Sequence, residues 1–351
     1  MEHKIKDILS QIVHPESGTN IVEAGIVESV KAADGKVTVT LAFAKSRDPF
    51  AAKIKRQVQT AVESAFPEVG VSVIIRKAAP RQAAQQEQYT TTGRIARTIA
   101  VASGKGGVGK STVTANLAVA LRNKGFRVGV LDADIYGPSQ PRMFGVEGYV
   151  PDAVEEDGHT LIAPAVSKEG IKVMSIGFFI KPTDALMWRG AMAVNALKQM
   201  IHQTEWGELD FLLADLPPGT GDIHLSIIQE LHIDSAVIVS TPQQIAVDDV
   251  VRGVRMFCHP QVAVPVAGIV ENMAWFTPAE LPDNRYYIFG RGGAERYARE
   301  NGIELLGQIP LIQSVMEGSE DGCPAAGTDG MAAEYYNAIA GRIVDKLSKG
   351  C

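Results

Sequence analysis

The sequence predicts a doubly wound α/β fold with a mostly parallel sheet, preceded by a small α+β domain. Two observations lead to this fold class. From Arg94 onward, short apolar runs alternate with segments of helical spacing, which is typical of parallel strands joined by crossover helices. Before Arg94, a few strand-like and helical segments end in a polar stretch. The length of 351 residues agrees with about two domains.

Residues 1–77 are the predicted small domain. Its first helix has apolar residues at helical spacing, namely Ile5, Ile8, Leu9 and Ile12. Two paired strands, a helix and a last strand follow, predicted at Val27–Val30, Val37–Phe43, Ala51–Phe66 and Val69–Ile75. Residues 78–93 are rich in Ala, Gln and Thr without an apolar period, so we predict that they link this domain to the larger one, residues 94–351.

The larger domain contains seven predicted strands: Thr98–Ser103, Arg127–Leu131, Lys172–Ile176, Phe211–Ala214, Ala236–Ser240, Val266–Val270 and Glu304–Gly307. Ligands of such sheets bind at the carboxyl ends of the strands. Several polar motifs follow these strands directly, so we expect the motifs to gather at one edge of the sheet.

The stretch GKGGVGKST, which follows the first of these strands, satisfies the phosphate-loop pattern G-x-x-x-x-G-K-[ST] and predicts a P-loop NTPase domain. Backbone N–H groups of such a loop and the N-terminus of the next helix form a positive cradle for phosphate. Lys110 is expected to reach the β- and γ-phosphates of ATP, and Ser111 to hold Mg²⁺. The predicted nucleotide contacts of the loop are Gly104, Lys105, Gly106, Gly107, Val108, Gly109, Lys110, Ser111 and Thr112. An ordinary glycine-rich turn is the alternative.

The loop contains a second lysine, Lys105. This arrangement resembles the deviant phosphate loop of the MinD/ParA/nitrogenase-iron-protein class. The resemblance implies a homodimer that sandwiches ATP, with Lys105 crossing to the nucleotide of the other subunit. A solvated loop charge is the alternative interpretation of Lys105.

Two further motifs place aspartates at strand ends. The motif LDADIYGPSQP contains Asp132 and Asp134, and FLLADLPPGTGD ends an apolar strand in Asp215, as in the Walker B arrangement that holds Mg²⁺. Resemblance to the deviant-loop class implies that Asp134 orients the attacking water, so that Lys105, Lys110 and Asp134 are the predicted catalytic residues. Asp132 is expected close to the metal or the loop. Helix-capping or turn aspartates are the alternative.

The motif GIVENM contains Asn272. By the same resemblance Asn272 would hydrogen-bond the adenine, with an ordinary turn asparagine as the alternative. The segment STPQQIAVDD is similar to the one that lines the dimer interface of this class.

From Arg94 to about Lys346 the chain resembles the Mrp/ApbC family of cytoplasmic iron–sulfur cluster carriers. The resemblance rests on GKGGVGKST, LDADIYGPSQP, WRG, DLPPGTGD, GIVENM and IFGRGG, in that order. The stretch HPESGTNIVEAGIVESV of the first domain resembles the small domain of iron–sulfur assembly proteins. Together they imply a slowly hydrolysing ATPase homodimer that carries clusters to apo iron–sulfur proteins and meets a cluster-assembly scaffold.

The cysteines depart from this family. Its usual carriers have a C-x-x-C between the ENM and FG-GG motifs, whereas Ala274–Ile288 contains no cysteine. The chain has three cysteines, Cys258, Cys323 and Cys351. Cys258 is expected to be a small buried residue and Cys323 to be exposed in a glycine-rich loop. As cluster ligands, Cys323 and Cys258 are the candidates, because two single cysteines doubled by a two-fold axis would supply four thiolates.

Composition limits the remaining function classes. The net charge of −6 argues against a protein that coats nucleic acid, and the few cysteines fit a reducing cytoplasm. We expect no membrane span, because no apolar run approaches about 18 residues. A cluster-free regulatory or scaffolding ATPase is one alternative function. A MinD/ParA-like positioning ATPase is another, and it would use the basic amphipathic segment Tyr336–Lys349 on a membrane unless that helix packs on the sheet.

Overall fold

The computed structural model describes residues 5, 8–12, 20–22, 26–33, 36–43, 50–66, 69–77, 94–156, 158–179, 190–278 and 280–348. The predicted linker, Trp188 and Arg189 of the WRG motif, and Cys351 lie outside the described residues. The chain divides into two compact units, Met1–Glu87 and Gln88–Cys351.

The first unit contains a three-stranded sheet formed by β1 (Val27–Ala33), β2 (Lys36–Phe43) and β3 (Gly70–Lys77), in that order. Strand β1 pairs with β2 antiparallel, and β2 pairs with β3 parallel. The parallel pairing requires a crossover, which helix α1 (Ala51–Ala65) supplies. Helix α1 buries Ile54, Val58 and Val62, which recur every four residues and share the core with β2. These elements confirm the three predicted strands and the helix predicted at Ala51–Phe66, whereas the predicted first helix lies partly outside the described residues.

The second unit is built on an eight-stranded sheet. Its strands are β4 (Thr98–Ala102), β5 (Val128–Asp132), β8 (Ala165–Val166), β9 (Lys172–Ser175), β10 (Phe211–Asp215), β11 (Ser235–Ser240), β12 (Val266–Phe276) and β13 (Leu305–Leu311). Their order is β13-β12-β11-β4-β10-β5-β9-β8, and only β8 runs antiparallel to its neighbour. All seven predicted strands are confirmed. Strand β8 and a separate hairpin of β6 (Ala153–Glu156) and β7 (His159–Ile162) were not predicted.

Helices cover both faces of this sheet. They are α2 (Lys110–Asn123), α3 (Gln140–Met143), α4 (Gly190–Gln203), α5 (Asp222–Glu230), α6 (Gln244–Phe257), α7 (Gly293–Glu300), α8 (Gln313–Glu320) and α9 (Met331–Ser348). One apolar cluster contains residues of α2 and α9 and strand residues such as Val101. A second contains residues of the four helices α4, α5, α6 and α7 and strand residues such as Ala100. Side chains of a strand alternate between faces, so the two clusters are the two sides of the sheet. This is the predicted doubly wound architecture.

Helix α9 packs its apolar face in the core rather than presenting it outward. Tyr336, Ile339, Ile343 and Leu347 are buried. On the same helix, Lys346 donates to the carbonyl oxygen of Ala267 at 2.7 Å. None of the helices in the described part of the chain combines the length and apolar composition that crossing a bilayer requires.

A buried carboxylate fixes the start of α7. Glu271 in β12 accepts backbone N–H bonds from Ala294 at 2.7 Å and Glu295 at 3.3 Å, where the helix dipole favours negative charge. A Cβ atom at Gly293 would lie 2.1 Å from the carbonyl oxygen of Pro242. The ENM and GRGG motifs are therefore joined to the segment after β11 through a contact that only glycine permits.

Replacing Gly293 tests this contact. We expect Gly293→Ala to lower the free energy of unfolding by about 1–3 kcal/mol, because the backbone of Pro242 must shift. Gly253→Ala in α6 is the matched control, since a Cβ there meets open space. The control should be neutral or stabilising by up to about 1 kcal/mol. Urea unfolding measures both, and equal stability of the two variants would contradict the contact.

Candidate nucleotide-binding site

The predicted phosphate loop connects the carboxyl end of β4 to the N-terminus of α2. Gly109 is the residue that precedes the helix and has a left-handed φ of 81°, which favours glycine. Gly104 packs against Asp249 of α6. The first N–H groups of α2 have no partner within the helix, so they add to the positive field at the loop. Gly106 and Gly107 are exposed, and Ser111 and Thr112 are half-buried.

Strand order brings the aspartate motifs to this loop. Strand β10 lies between β4 and β5, and its last residue, Asp215, pairs in register with Val101 and with Asp132. The Lys110 ammonium, on a side chain only 6% exposed, lies 2.5 Å from Asp215 Oδ1 and 3.8 Å from Asp134 Oδ2. It also lies 3.2 Å from the Ser111 hydroxyl. The structure thus brings Lys110, Ser111, Asp134 and Asp215 together.

The carboxylates at this position are buried close to one another. Burial, with the neighbouring Asp215 carboxylate, raises the pKa of Asp132 to about 7. Asp132 accepts hydrogen bonds from the N–H of Gln140 at 3.0 Å and the hydroxyl of Ser175 at 3.0 Å. Burial also raises the pKa of Asp134, against the opposing effect of Lys110. The cluster therefore carries more negative than positive groups and favours a further cation.

The donor set fits Mg²⁺. The Ser111 hydroxyl and the Asp215 carboxylate contact the same ammonium group, so these oxygens are neighbours. Mg²⁺ prefers oxygen ligands and is typically held by one or two carboxylates together with water and substrate phosphates. Within the described residues, no group of three or more His, Cys, Asp or Glu side chains is arranged to hold a metal alone. The site therefore fits an ion that binds together with phosphate.

Asn272 lies directly against the phosphate loop. Its Nδ2 donates to the carbonyl oxygen of Val108 at 2.9 Å, and the next residue, Met273, has a left-handed φ of 55°. Backbone strain of this kind is concentrated at functional sites. Asn272 therefore supports the loop, and its contact with adenine stays a prediction. Lys105 is partly exposed on the same loop, in contrast to the buried Lys110.

Sequence reasoning missed two buried residues of the site. Gln140 donates from Nε2 to Asp215 Oδ2 at 2.8 Å and to the carbonyl oxygen of Ser111 at 3.1 Å. His224 bonds the Pro217 carbonyl at 2.7 Å through Nε2 and accepts from the Gly221 N–H at 3.2 Å, which holds the PPGTG turn. Burial lowers the pKa of His224, in keeping with a neutral ring in these two bonds. Gln140 stands inside the LDADIYGPSQP motif and His224 lies two residues after FLLADLPPGTGD, and these positions are the signal that could have pointed to them.

A cavity of about 510 Å³ lies beside this turn. Its lining includes Tyr136, Pro217, Pro218, Ile223 and His224. The cavity therefore connects the loop after β5 to the turn after β10, the two segments that carry the aspartate motifs.

The cysteines occupy positions that differ from the expectation. Cys258, expected to be buried, is exposed where α6 ends, and Cys323 is only partly exposed, with its sulfur against the Lys168 ammonium. Phe257, next to Cys258, belongs to one apolar cluster, and Ala325, near Cys323, belongs to the other. The sheet separates the two thiols. This packing argues against an arrangement in which Cys258 and Cys323 of one protomer ligate the same cluster, and the cluster ligands stay a prediction.

Comparison with known families agrees with this site. Residues 94–344 match the family described as NUBPL iron-transfer P-loop NTPase. The chain belongs to this family. Residues 2–73 match a second family, described as iron-sulfur cluster assembly protein. The family of iron-transfer P-loop NTPases thus accounts for the larger unit of the chain and includes all the predicted phosphate-loop residues.

Individual relatives agree with the family assignment. An iron-sulfur cluster carrier protein of Synechocystis sp. is 38% identical over 97% of this chain and 96% of its own length. A solved nucleotide-binding protein of Archaeoglobus fulgidus, in complex with ADP, is 40% identical, with a TM-score of 0.58 over 67% of this chain and 91% of that one. The cell division ATPase MinD of Pyrococcus furiosus is 23% identical, with a TM-score of 0.54 over 71% and 99% of the two chains, and shows the shared fold.

The buried ion pair of Lys110 and Asp215 gives a stability prediction. We expect Lys110→Ala to lower the free energy of unfolding by about 3–5 kcal/mol without nucleotide, because it leaves Asp215 buried without its cation. The double variant Lys110→Ala/Asp215→Asn should cost less than the two single changes added together. Urea unfolding measures this cycle.

Lys105→Ala, on a partly exposed side chain, is the control and should change stability by less than about 0.5 kcal/mol. Additive single costs would argue against the coupling.

Proposed function

We propose that the protein is an ATP-binding and ATP-hydrolysing homodimer that binds iron–sulfur clusters and transfers them to apoproteins, with ATP closing the dimer. The observation that carries the ATPase part is the meeting of Lys110, Ser111 and Asp215 where β4 and β10 end. Family membership and the Synechocystis carrier support the cluster part.

The residues of the loop have separate tasks in this proposal. The Lys110 ammonium exchanges the Asp215 carboxylate for the β- and γ-phosphate oxygens when ATP enters, while backbone N–H groups of the loop bind the other phosphate oxygens. Ser111 and Asp215 would hold Mg²⁺, which would supply positive charge to neutralise the phosphates. Thr114, whose hydroxyl lies 3.2 Å from Asp215 Oδ1, keeps the carboxylate oriented after Lys110 has left it.

Asp134 is placed to orient the attacking water. Its Oδ1 accepts N–H bonds from Tyr136 at 3.1 Å and Gly137 at 3.3 Å, which fixes the side chain. The other oxygen, Oδ2, lies toward Lys110. Since burial raises the pKa of Asp134, the carboxylate is a better proton acceptor than an exposed one. Lys105 contributes its charge to the nucleotide of the other subunit, and Asn272 contacts adenine while it holds the loop.

The turn after β10 is suited to report on the γ-phosphate. The Gly219 N–H donates to the carbonyl oxygen of Ser103, directly before the phosphate loop, at 3.0 Å. Movement of either segment therefore reaches the other. In the proposed cycle ATP closes the dimer through these segments and hydrolysis relaxes it, so that a cluster or a partner at the interface is released.

The cargo requires ligands outside the segment that the carriers usually use. Ala274–Ile288 has no cysteine, and Cys258 and Cys323 lie on opposite faces of the sheet. One cluster therefore takes at most one of these two thiols from each protomer. In this proposal the protein works in the cytoplasm, and the first unit, which matches the assembly-protein family, contacts the cluster-assembly scaffold.

The separation of the cysteines also favours a second function, a cluster-free regulatory or scaffolding ATPase of iron–sulfur assembly. Such a protein would keep the nucleotide site and its dimer but would not need thiolate ligands. A positioning ATPase of the MinD type has less support, because the apolar face of α9 is covered by the sheet rather than available to a membrane.

The two loop lysines should separate binding from turnover. We expect Lys110→Ala to weaken ATP binding by about 10–100-fold, because charge-assisted contacts to phosphate are lost. Lys105→Ala should keep ATP affinity within about threefold but lose hydrolysis by at least about 100-fold, as for other charges supplied across an interface. Fluorescent-nucleotide titration, phosphate release and light scattering with ATP measure these effects. Lys124→Ala, an exposed lysine at the end of α2, is the control. Unimpaired turnover of Lys105→Ala would remove the cross-dimer role.

Anaerobic reconstitution with iron and sulfide distinguishes the two functions. If the protein carries clusters, the wild type should gain thiolate-to-iron absorption in the visible range and bind iron in proportion to dimer. Either Cys323→Ala or Cys258→Ala, but not both, should lose this absorption, since a cluster on the two-fold axis of the dimer would take the same thiol from each protomer. An unchanged ATPase that takes up no cluster would instead support the cluster-free function. Clusters that survive both changes would show that neither thiol is a ligand.

A further inference from the structure

Gln140, the first residue of α3, connects two parts of the site. Its side chain is fully buried. The Nε2 atom donates to Asp215 Oδ2 at 2.8 Å and to the carbonyl oxygen of Ser111 at 3.1 Å. Asp215 and Ser111 are the two residues whose side chains are proposed to hold Mg²⁺. One amide group therefore sets the spacing between them.

The orientation of this amide follows from its partners. A carboxylate and a backbone carbonyl are both acceptors, so the NH₂ group, and not Oε1, must face them. The Oε1 atom is buried and has no hydrogen-bond partner among the residues that the structure describes. Leaving a buried acceptor unpaired costs stability. An apolar residue of the same size would avoid this cost, but it would leave Asp215 Oδ2 and the Ser111 carbonyl oxygen without this donor.

Gln140 complements the other donors to Asp215. Lys110 and Thr114 both bind Oδ1, whereas Gln140 binds Oδ2. When the Lys110 ammonium moves to phosphate, Gln140 still holds the second carboxylate oxygen in place. As an uncharged donor it orients the carboxylate without neutralising it, so Asp215 keeps its full attraction for a cation.

We propose that Gln140 is a positioning residue for metal binding, which aligns the Asp215 carboxylate with Ser111 so that Mg²⁺ and nucleotide bind together. This inference rests on the proposed nucleotide-binding function. Within the LDADIYGPSQP motif, the role of holding Asp215 against Ser111 thus belongs to Gln140.

The test is the Mg²⁺ dependence of nucleotide binding in Gln140→Met, which preserves side-chain size and removes both donors. Fluorescent ADP is titrated in EDTA and then at increasing Mg²⁺ with the full-length protein. We expect affinity in EDTA to stay within about twofold of wild type, because the phosphate loop is untouched, and the half-saturating Mg²⁺ concentration to rise about tenfold. The matched control is Gln313→Met, which makes the same change at an exposed glutamine of α8.

A purely structural role predicts a different pattern. In that case Gln140→Met would lower the unfolding temperature and the affinity in EDTA, with the half-saturating Mg²⁺ concentration unchanged, and the inference would be overturned. If Gln140→Met does not fold, Gln140→Asn serves instead, since the shorter amide cannot reach both partners and should also raise the Mg²⁺ requirement. A wild type on which Mg²⁺ has no effect would overturn the nucleotide site itself. A normal Mg²⁺ effect in wild type that both variants share would overturn only the role of Gln140.

Discussion

The contact of the Lys110 ammonium with the Asp215 carboxylate is the interaction on which the rest of the site depends. Both groups are buried, and a buried charge without a partner is strongly destabilising. The pair forms only because β10 lies between β4 and β5, so that the end of one strand reaches the loop that follows another. The phosphate loop therefore keeps its buried lysine only in a sheet with this strand order.

The same cluster contains unfavourable interactions. Asp132 and Asp215 are neighbours in register on adjacent strands, roughly 5 Å apart, and both are buried. Desolvation, together with repulsion between them, raises the pKa of Asp132 to about 7. A cation bound with phosphate would relieve this repulsion. The buried carboxylates thus make the folded protein less stable than apolar residues would. The same carboxylates give the site its preference for positively charged ligands.

Much of the fold followed from the sequence because its signals are local. Apolar strands between helical segments and the spacing of GKGGVGKST identify the sheet and the loop without knowledge of contacts. Strand β8 has only two residues, and β6 and β7 are largely exposed, so none of these three strands has the apolar run that identifies a buried strand. Gln140 acts through contacts with Ser111 and Asp215, which are 29 and 75 residues away. The exposure of Cys258 depends on how α6 ends, which composition does not indicate.

The positions of the cysteines also determine how the protein responds to oxidation. A disulfide requires Cα atoms within about 7 Å of each other, and the central sheet with its helices lies between Cys258 and Cys323. These two thiols cannot pair within one chain. Between the described thiols, an oxidative linkage through Cys258 therefore joins separate molecules where α6 ends. Oxidation there would link two chains into a covalent dimer and leave each sheet intact.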